Sequence, residues 1–391
     1  MAACYFFAQS LVELNEVIIM NKIISLLTVG VMLAAMMGKK TAEKPSCKAY
    51  VLIEASTCAV LEGENPDQQL ECGYMSKLMG LLLVAEDIEA GKLSLLEEIT
   101  APQAVYGTKG AVVWLEPGDK MTVEELLKSV IIGNANDAML TLACACEGSE
   151  EEFVSRMNSE AFDLGLRNTA FYGACGYQGD HDRTTARELA VICAKLSEHE
   201  ILRPYLTTWR DFVRSGQTEL VSENTLTRTY DRHMGFKACH SDEDGYSVAE
   251  GGAGASGSVF IAVVLGAPDA ETSMKTAKDL INRGLSEYKV TATMFPEEML
   301  RPMKVKGGAE LAVELGLAGQ SSLVIPRSVG ELRTVTVIPE YINAPVEKGQ
   351  RLGTAAFYSG DTLVWETDVV AKESVPMLTY LYILEKMLYK L

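Results

Sequence analysis

The stretch Glu71-Cys72-Gly73-Tyr74-Met75-Ser76-Lys77-Leu78-Met79 opens a run that is apolar nearly all round: Leu81, Leu82, Leu83, Val84 and Ile88 follow before Gly91 stops it. A helix over Met75 to Ala90 with no polar face belongs in the centre of a domain rather than on its surface. Lys77 sits near its start, and Tyr74, three residues earlier, shares a face with it. The spacing is that of a hydroxyl and an amine placed to exchange a proton, yet a tyrosine stands where a small hydroxyl would be expected.

Working outward, residues 48 to 62 read as two short strands joined by a polar turn, because apolar residues alternate across KAYVLIEASTCAVLE. Thr122-Val-Glu-Glu125, after Pro117-Gly118, is a capping-box pattern that starts a helix to Ile132. Amphipathic helices are expected over Ser149 to Leu164 and Thr184 to Leu196. A buried strand is expected over Val259 to Leu265, and a closing helix over Ala270 to Tyr288. No GxGxxG, phosphate loop, internal repeat or low-complexity tract interrupts this order, and no cofactor is implied.

Beyond Lys289 the pattern changes. A linker over 289–302 leads to short alternating runs, Leu332 to Ile338 and Thr354 to Tyr358, separated by glycine turns. Residues 303–375 therefore read as a small all-β module, and 376–391 as an amphipathic helix that either docks on that module or lies in a membrane plane.

The whole chain of 391 residues is long enough for two cores. Its net charge of -18, without clustered Lys and Arg, argues against nucleic acid. Residues 1–40 contain Met20-Asn-Lys22, an apolar run from Ile23 to Met37, then Lys39-Lys40. That is the layout of a secretory signal, or of an N-terminal anchor if uncleaved, and it predicts an exported protein. Met20 reads as the true start, since Glu13 and Glu16 spoil a basic leader. Nine cysteines would ordinarily prompt a disulfide framework. Cys144 and Cys146, however, lie two apart in one helix and point away from each other, so buried free thiols are the better reading.

Read in order, these segments resemble the serine D-alanyl-D-alanine carboxypeptidases, the low-molecular-weight penicillin-binding proteins. The likeness runs through AYVLIEASTCAVLEGENPD, YMSKLMGLLLVAEDIEAGKLSL, WLEPGDKMTVEELLKSVIIGNANDA, FVSRMNSEAFDLGLRNTAF, TTARELA, GFKACHSDEDGYSVAEGG and FIAVVLGAP, and into VKGGAE and INAPVEKGQRLG. It implies an antiparallel sheet covered by helices on both faces over 45–288, followed by a β-sandwich. It also implies acyl transfer through three motifs, S-x-x-K, S-x-N and K-T-G.

Each motif is altered here. Lys77 matches the family's base, but Tyr74 replaces the nucleophilic serine, and its phenol oxygen lies too far from the backbone for that role. Ser76 points about 200° away on an α-helix. Asn134 replaces the proton-shuttling serine and cannot exchange protons, while Asn136 matches the motif's asparagine. Lys237 matches the third motif's lysine; Ala238 and Cys239 replace the carboxylate-binding threonine and the glycine that lets substrate lie along the strand edge, and His240 follows them in the substrate groove.

Three readings follow. The first is an inactive or impaired homologue that holds a peptidoglycan stem peptide or a wall-synthesis partner. The second is an active carboxypeptidase with an unconventional nucleophile, and the third a repurposed thiol or metal hydrolase. Against the last, Cys239 and His240 are adjacent on a strand and face opposite ways. No metal site is expected, and His181, His199, His233 and His240 fit no triad. The bland alternative is that Lys77 and Lys237 serve only the core, and that Asn136 and Asp137 only tie a loop to a helix.

Overall fold

The alternating run after Cys47 forms β1 (Ala49–Glu54) and β2 (Val60–Glu64) in a computed structural model. The structure describes residues 45–177, 181–241, 244–255, 257–292, 301–318, 322–380 and 382. The expected N-terminal signal lies outside them, as does most of the helix expected over 376–391; its described residues 376–379 are not helical, and Met377 forms a β-bridge with Gly308 instead. Three later strands complete the sheet: β3 (His233–Ser241), β4 (Gly245–Ala253) and β5 (Val259–Ala267). All pairs are antiparallel, in the order β2-β1-β5-β4-β3. One side of β3 therefore has no strand neighbour in this sheet.

The helices are α1 (Lys77–Glu89), α2 (Val123–Ile131), α3 (Asn136–Glu147), α4 (Glu150–Asp163), α5 (Ala186–Leu196) and α6 (Ala270–Glu287). Residues of β5 alternate between faces, as the period of a strand requires. Ile261, Val263 and Leu265 join a core built with α1, α3 and α5. Phe260, on the other face, lies under Gly284 of α6. Every residue of α1 from Lys77 to Ala85 is buried, as a helix apolar all round should be. At about 1.5–3 kcal/mol for each fully buried Leu or Met, this one helix is a large share of the core.

Caps fix the helix starts. Thr122 and Glu125 complete the reciprocal capping box at α2, Ser149 accepts from the Glu152 amide at α4, and Thr185 accepts from that of Glu188 at α5. All the described cysteines are free thiols. No helix among the described residues is long and apolar enough to cross a membrane.

Two compact units divide the described residues: Pro45–Thr291 with Ser322–Arg327, and those that follow in 292–318 and from Ser328 onward. Tyr288–Ala292, read from sequence as the last residue of the closing helix and the beginning of a linker, is instead a strand paired with Ser322–Pro326. Its β-branched Val290 and Thr291 suit a pleated edge. In the second unit, Met303–Lys306, Ala312–Val313 and Tyr341–Asn343 form one sheet, while Leu315–Leu317, Leu332–Val337, Arg351–Ser359 and Thr362–Ala371 form another. Val305, Val313, Leu315, Leu352, Val369 and Val375 make their shared core.

Helix α6 depends on a close approach at Gly284, where a Cβ would come 2.7 Å from the Phe260 ring. Gly284→Ala should therefore lower the urea midpoint. Overpacking, at about 1–3 kcal/mol, outweighs the roughly 1 kcal/mol that alanine adds to a helix. A higher midpoint would show that α6 can lift from the sheet.

Candidate active-site cleft

The opening stretch does not begin as α-helix. Gly73–Ser76 is a 3₁₀ turn that passes into α1 at Lys77. With three residues per turn, side chains three apart eclipse, so Tyr74 and Lys77 stack more directly than α-helical spacing implies. The Lys77 ammonium lies 4.6 Å from the centre of the Tyr74 ring. The Tyr74 hydroxyl lies beside the Asn136 amide, close under Gly110. Burial and then Tyr177 make that phenol harder to ionise than a free one.

The turn is held from below by Gly176. It sits at φ 63°, and any Cβ there would collide with the Gly73 carbonyl. Ser76 packs against the same glycine; its hydroxyl is buried and has no hydrogen-bond partner among the described residues. It takes no part in the Lys77 hydrogen-bond set.

Lys77 is 0% exposed. Its three protons go to three oxygens: the Asn134 carbonyl at 2.7 Å, Asn134 Oδ1 at 2.9 Å and Asn136 Oδ1 at 2.5 Å. Asn134 can offer both its oxygens because its backbone is left-handed, φ 57°, a conformation asparagine tolerates. Burial, then the nearby Lys237 charge, pulls the Lys77 amine well below an ordinary lysine. The three oxygens oppose that pull, since a neutral amine would turn a lone pair toward one of them.

Asn136, the first residue of α3, spends its other amide end on the Lys109 carbonyl at 2.7 Å. Asp137 accepts from the Val113 and Leu115 amides at 2.9 to 3.1 Å, tying their loop to the start of α3. Trp114, caught between those two anchored amides, is left at φ 61° and 77% exposed. Thus the bland expectation for Asp137 describes its contacts well.

On β3, Lys237 is 3% exposed and makes no hydrogen bond or ion pair with a described residue. Burial lowers its amine as well. The cleft brings its charge near those of Lys77 and Glu223, with Cys239 beside them. The Cys239 thiol is buried and pushed up to about 12, mainly by that burial. His240 faces outward, stacked on Tyr246 at 5.0 Å between ring centres. The opposed faces of Cys239 and His240 agree with strand geometry. Among the described residues no cluster of His, Cys, Asp and Glu is fit to hold a metal.

Sequence reading missed two participants. Glu223 lines a pocket with Asn134, Lys237 and Ala238. Glu250, wholly buried in β4, accepts from the Asn224 amide at 2.6 Å and from the Met234 and Gly235 amides, with His233 Nδ1 3.2 Å away. A lone glutamate inside the otherwise uncharged SVAEGGA strand was the available signal.

Comparison with known proteins matches residues 36–269 to the family described as D-alanyl-D-alanine carboxypeptidase. The chain belongs to this family. Residues 292–377 match the C-terminal domain of penicillin-binding protein 5. The D-alanyl-D-alanine carboxypeptidase DacF of Bacillus subtilis is 29% identical, over 94% of this chain and 98% of that protein. DacC of Escherichia coli is 27% identical, over 87% and 88%. The structure of penicillin-binding protein 5 from Haemophilus influenzae superposes with a TM-score of 0.78 at 22% identity, covering 86% of this chain and all of that one, and so supports the carboxypeptidase fold.

A thiol held near 12 is almost wholly protonated at pH 8. Iodoacetamide should then modify exposed Cys58 in the folded carboxypeptidase homologue long before Cys239, as read by peptide mass mapping. Rapid alkylation of Cys239 would revive the thiol-hydrolase reading.

Proposed function

We propose that this family member holds the D-alanine-terminated stem peptide of peptidoglycan without hydrolysing it, as an exported protein acting at the cell wall. One observation carries the reading: the three protons of the Lys77 ammonium are taken by Asn134 and Asn136, and the Tyr74 ring lies over it. A serine hydrolase needs a hydroxyl beside a base with a free lone pair. Here neither is available. Tyr74 is a poorly ionised phenol, Ser76 is packed away, and Asn134 cannot carry a proton to a leaving amine.

Binding remains provided for. The outer edge of β3 has main-chain groups for an extended peptide to pair with. Lys237, buried and lacking a partner among the described residues, offers its charge to a terminal carboxylate. The reading treats the cleft as a receptor made from a hydrolase.

Fluorescent penicillin should leave no covalent adduct on the protein, with acylation at least about 10⁴-fold slower than in a competent homologue. An adduct mapped to any residue would establish the unconventional-nucleophile reading instead. Tyr74→Ser restores a hydroxyl three residues before Lys77. It should gain only weak labelling, because Asn134, Ala238 and Cys239 remain.

Peptide binding should also take up protons. Burial depresses the Lys237 amine in the empty cleft, and a carboxylate beside it would raise it again. Affinity for N-acetyl-D-alanyl-D-alanine should be greatest below the empty-cleft value and fall as pH rises through the bound one. Calorimetry in buffers of different ionisation enthalpy would read the uptake, and Lys237→Met should abolish both effects. Tight binding with no pH dependence would remove Lys237 from the reading.

A further inference from the structure

Glu223 and Lys237 line the same pocket, together with Asn134, Asn224 and Ala238, yet they do not form an ion pair with each other. Lys237 is buried without a partner among the described residues, and an unpaired buried ion is costly, so a neighbouring carboxylate would ordinarily turn toward it. Both neighbours of Glu223 in the chain hold it back. Ser222 is fixed through its amide to the Trp209 carbonyl, at 2.9 Å. Asn224 is fixed through its side chain to buried Glu250, at 2.6 Å. The Glu223 carboxylate itself leans toward the rim, where Oε2 lies 3.3 Å from His240 Nδ1, and the His240 ring is braced flat against Tyr246. The result is a buried lysine and a rim-facing carboxylate that line one pocket without pairing.

We infer that this pocket takes an α-amino acid as its zwitterion, the carboxylate on Lys237 and the ammonium on Glu223. The inference rests on the reading of Lys237 as a carboxylate holder and adds a requirement for positive charge on the neighbouring nitrogen. An α-amino acid bears both charges on one carbon, so a single small molecule can satisfy both protein groups. A simple carboxylate satisfies only one of them. An acylated amino acid offers Glu223 a neutral amide, which lacks the Coulombic attraction of an ammonium for the carboxylate. Ile131, Ile132, Leu206 and Phe236 complete the walls, which suits a small apolar side chain.

The test is calorimetric titration of the full-length protein with D-alanine, L-alanine, N-acetyl-D-alanine and propionate. Alanine of at least one hand should bind at least tenfold more tightly than the other two ligands. Glu223→Gln should remove that preference while leaving N-acetyl-D-alanine binding equal or tighter, since the side chain is half exposed and its loss spares the fold. Equal binding of alanine, N-acetyl-D-alanine and propionate would overturn the inference and leave the carboxylate-holding function standing. A preference for alanine that survives Glu223→Gln would also overturn it. If neither N-acetyl-D-alanine nor N-acetyl-D-alanyl-D-alanine binds, the proposed function fails too. Alanine binding unaffected by Lys237→Met would place the amino acid elsewhere and overturn both.

Discussion

A buried ammonium tied to three oxygens organises this cleft. Lys77 reaches from the first residue of α1 to Asn134 and to the first residue of α3, so one side chain fixes the central helix, the loop before α3 and the start of α3 itself. Removing one partner of such an arrangement leaves the others desolvated and unpaired, which costs several kcal/mol. The same bonds that secure the fold engage the amine that catalysis would use. On the proposed reading, structural and chemical demands on Lys77 compete.

Around it, polar groups are satisfied in a chain of local ties. Asn136 spends both ends of its amide, and Asp137 gathers the amides of the overlying loop. Glu250 gathers those at the start of β3 and also holds Asn224. Lys237 stands apart because no described residue bonds to its ammonium. That difference is what the proposed function draws on in giving Lys237 a binding role.

Much of the fold was legible because its signals are local. The apolar run of α1, the capping box at Thr122 and the alternation in β1 and β5 need only neighbours in sequence to be read. The three altered motif positions were equally plain. What sequence could not supply was the turn at Gly73–Ser76, since 3₁₀ and α spacing look alike over four residues, and it is this turn that lays Tyr74 over Lys77. The roles of Glu223 and Glu250 were hidden for another reason. Their partners lie on other elements; the one local signal was a lone glutamate in an uncharged strand at Glu250, and nothing comparable marks Glu223. The strand at Tyr288–Ala292 was misread because its partner, Ser322–Pro326, comes some thirty residues later.

The loop clamped by Asp137 has an optical consequence. The chain has three tryptophans. Trp365 packs on Phe357 in the β-module, and Trp209 lies under the Arg228 guanidinium. Trp114 is held out in solvent by a strained left-handed backbone, on the loop whose amides fasten to the start of α3. Its indole emission therefore reports the solvent around the loop whose main-chain groups fasten to Asn136 and Asp137, and follows any rearrangement of that loop.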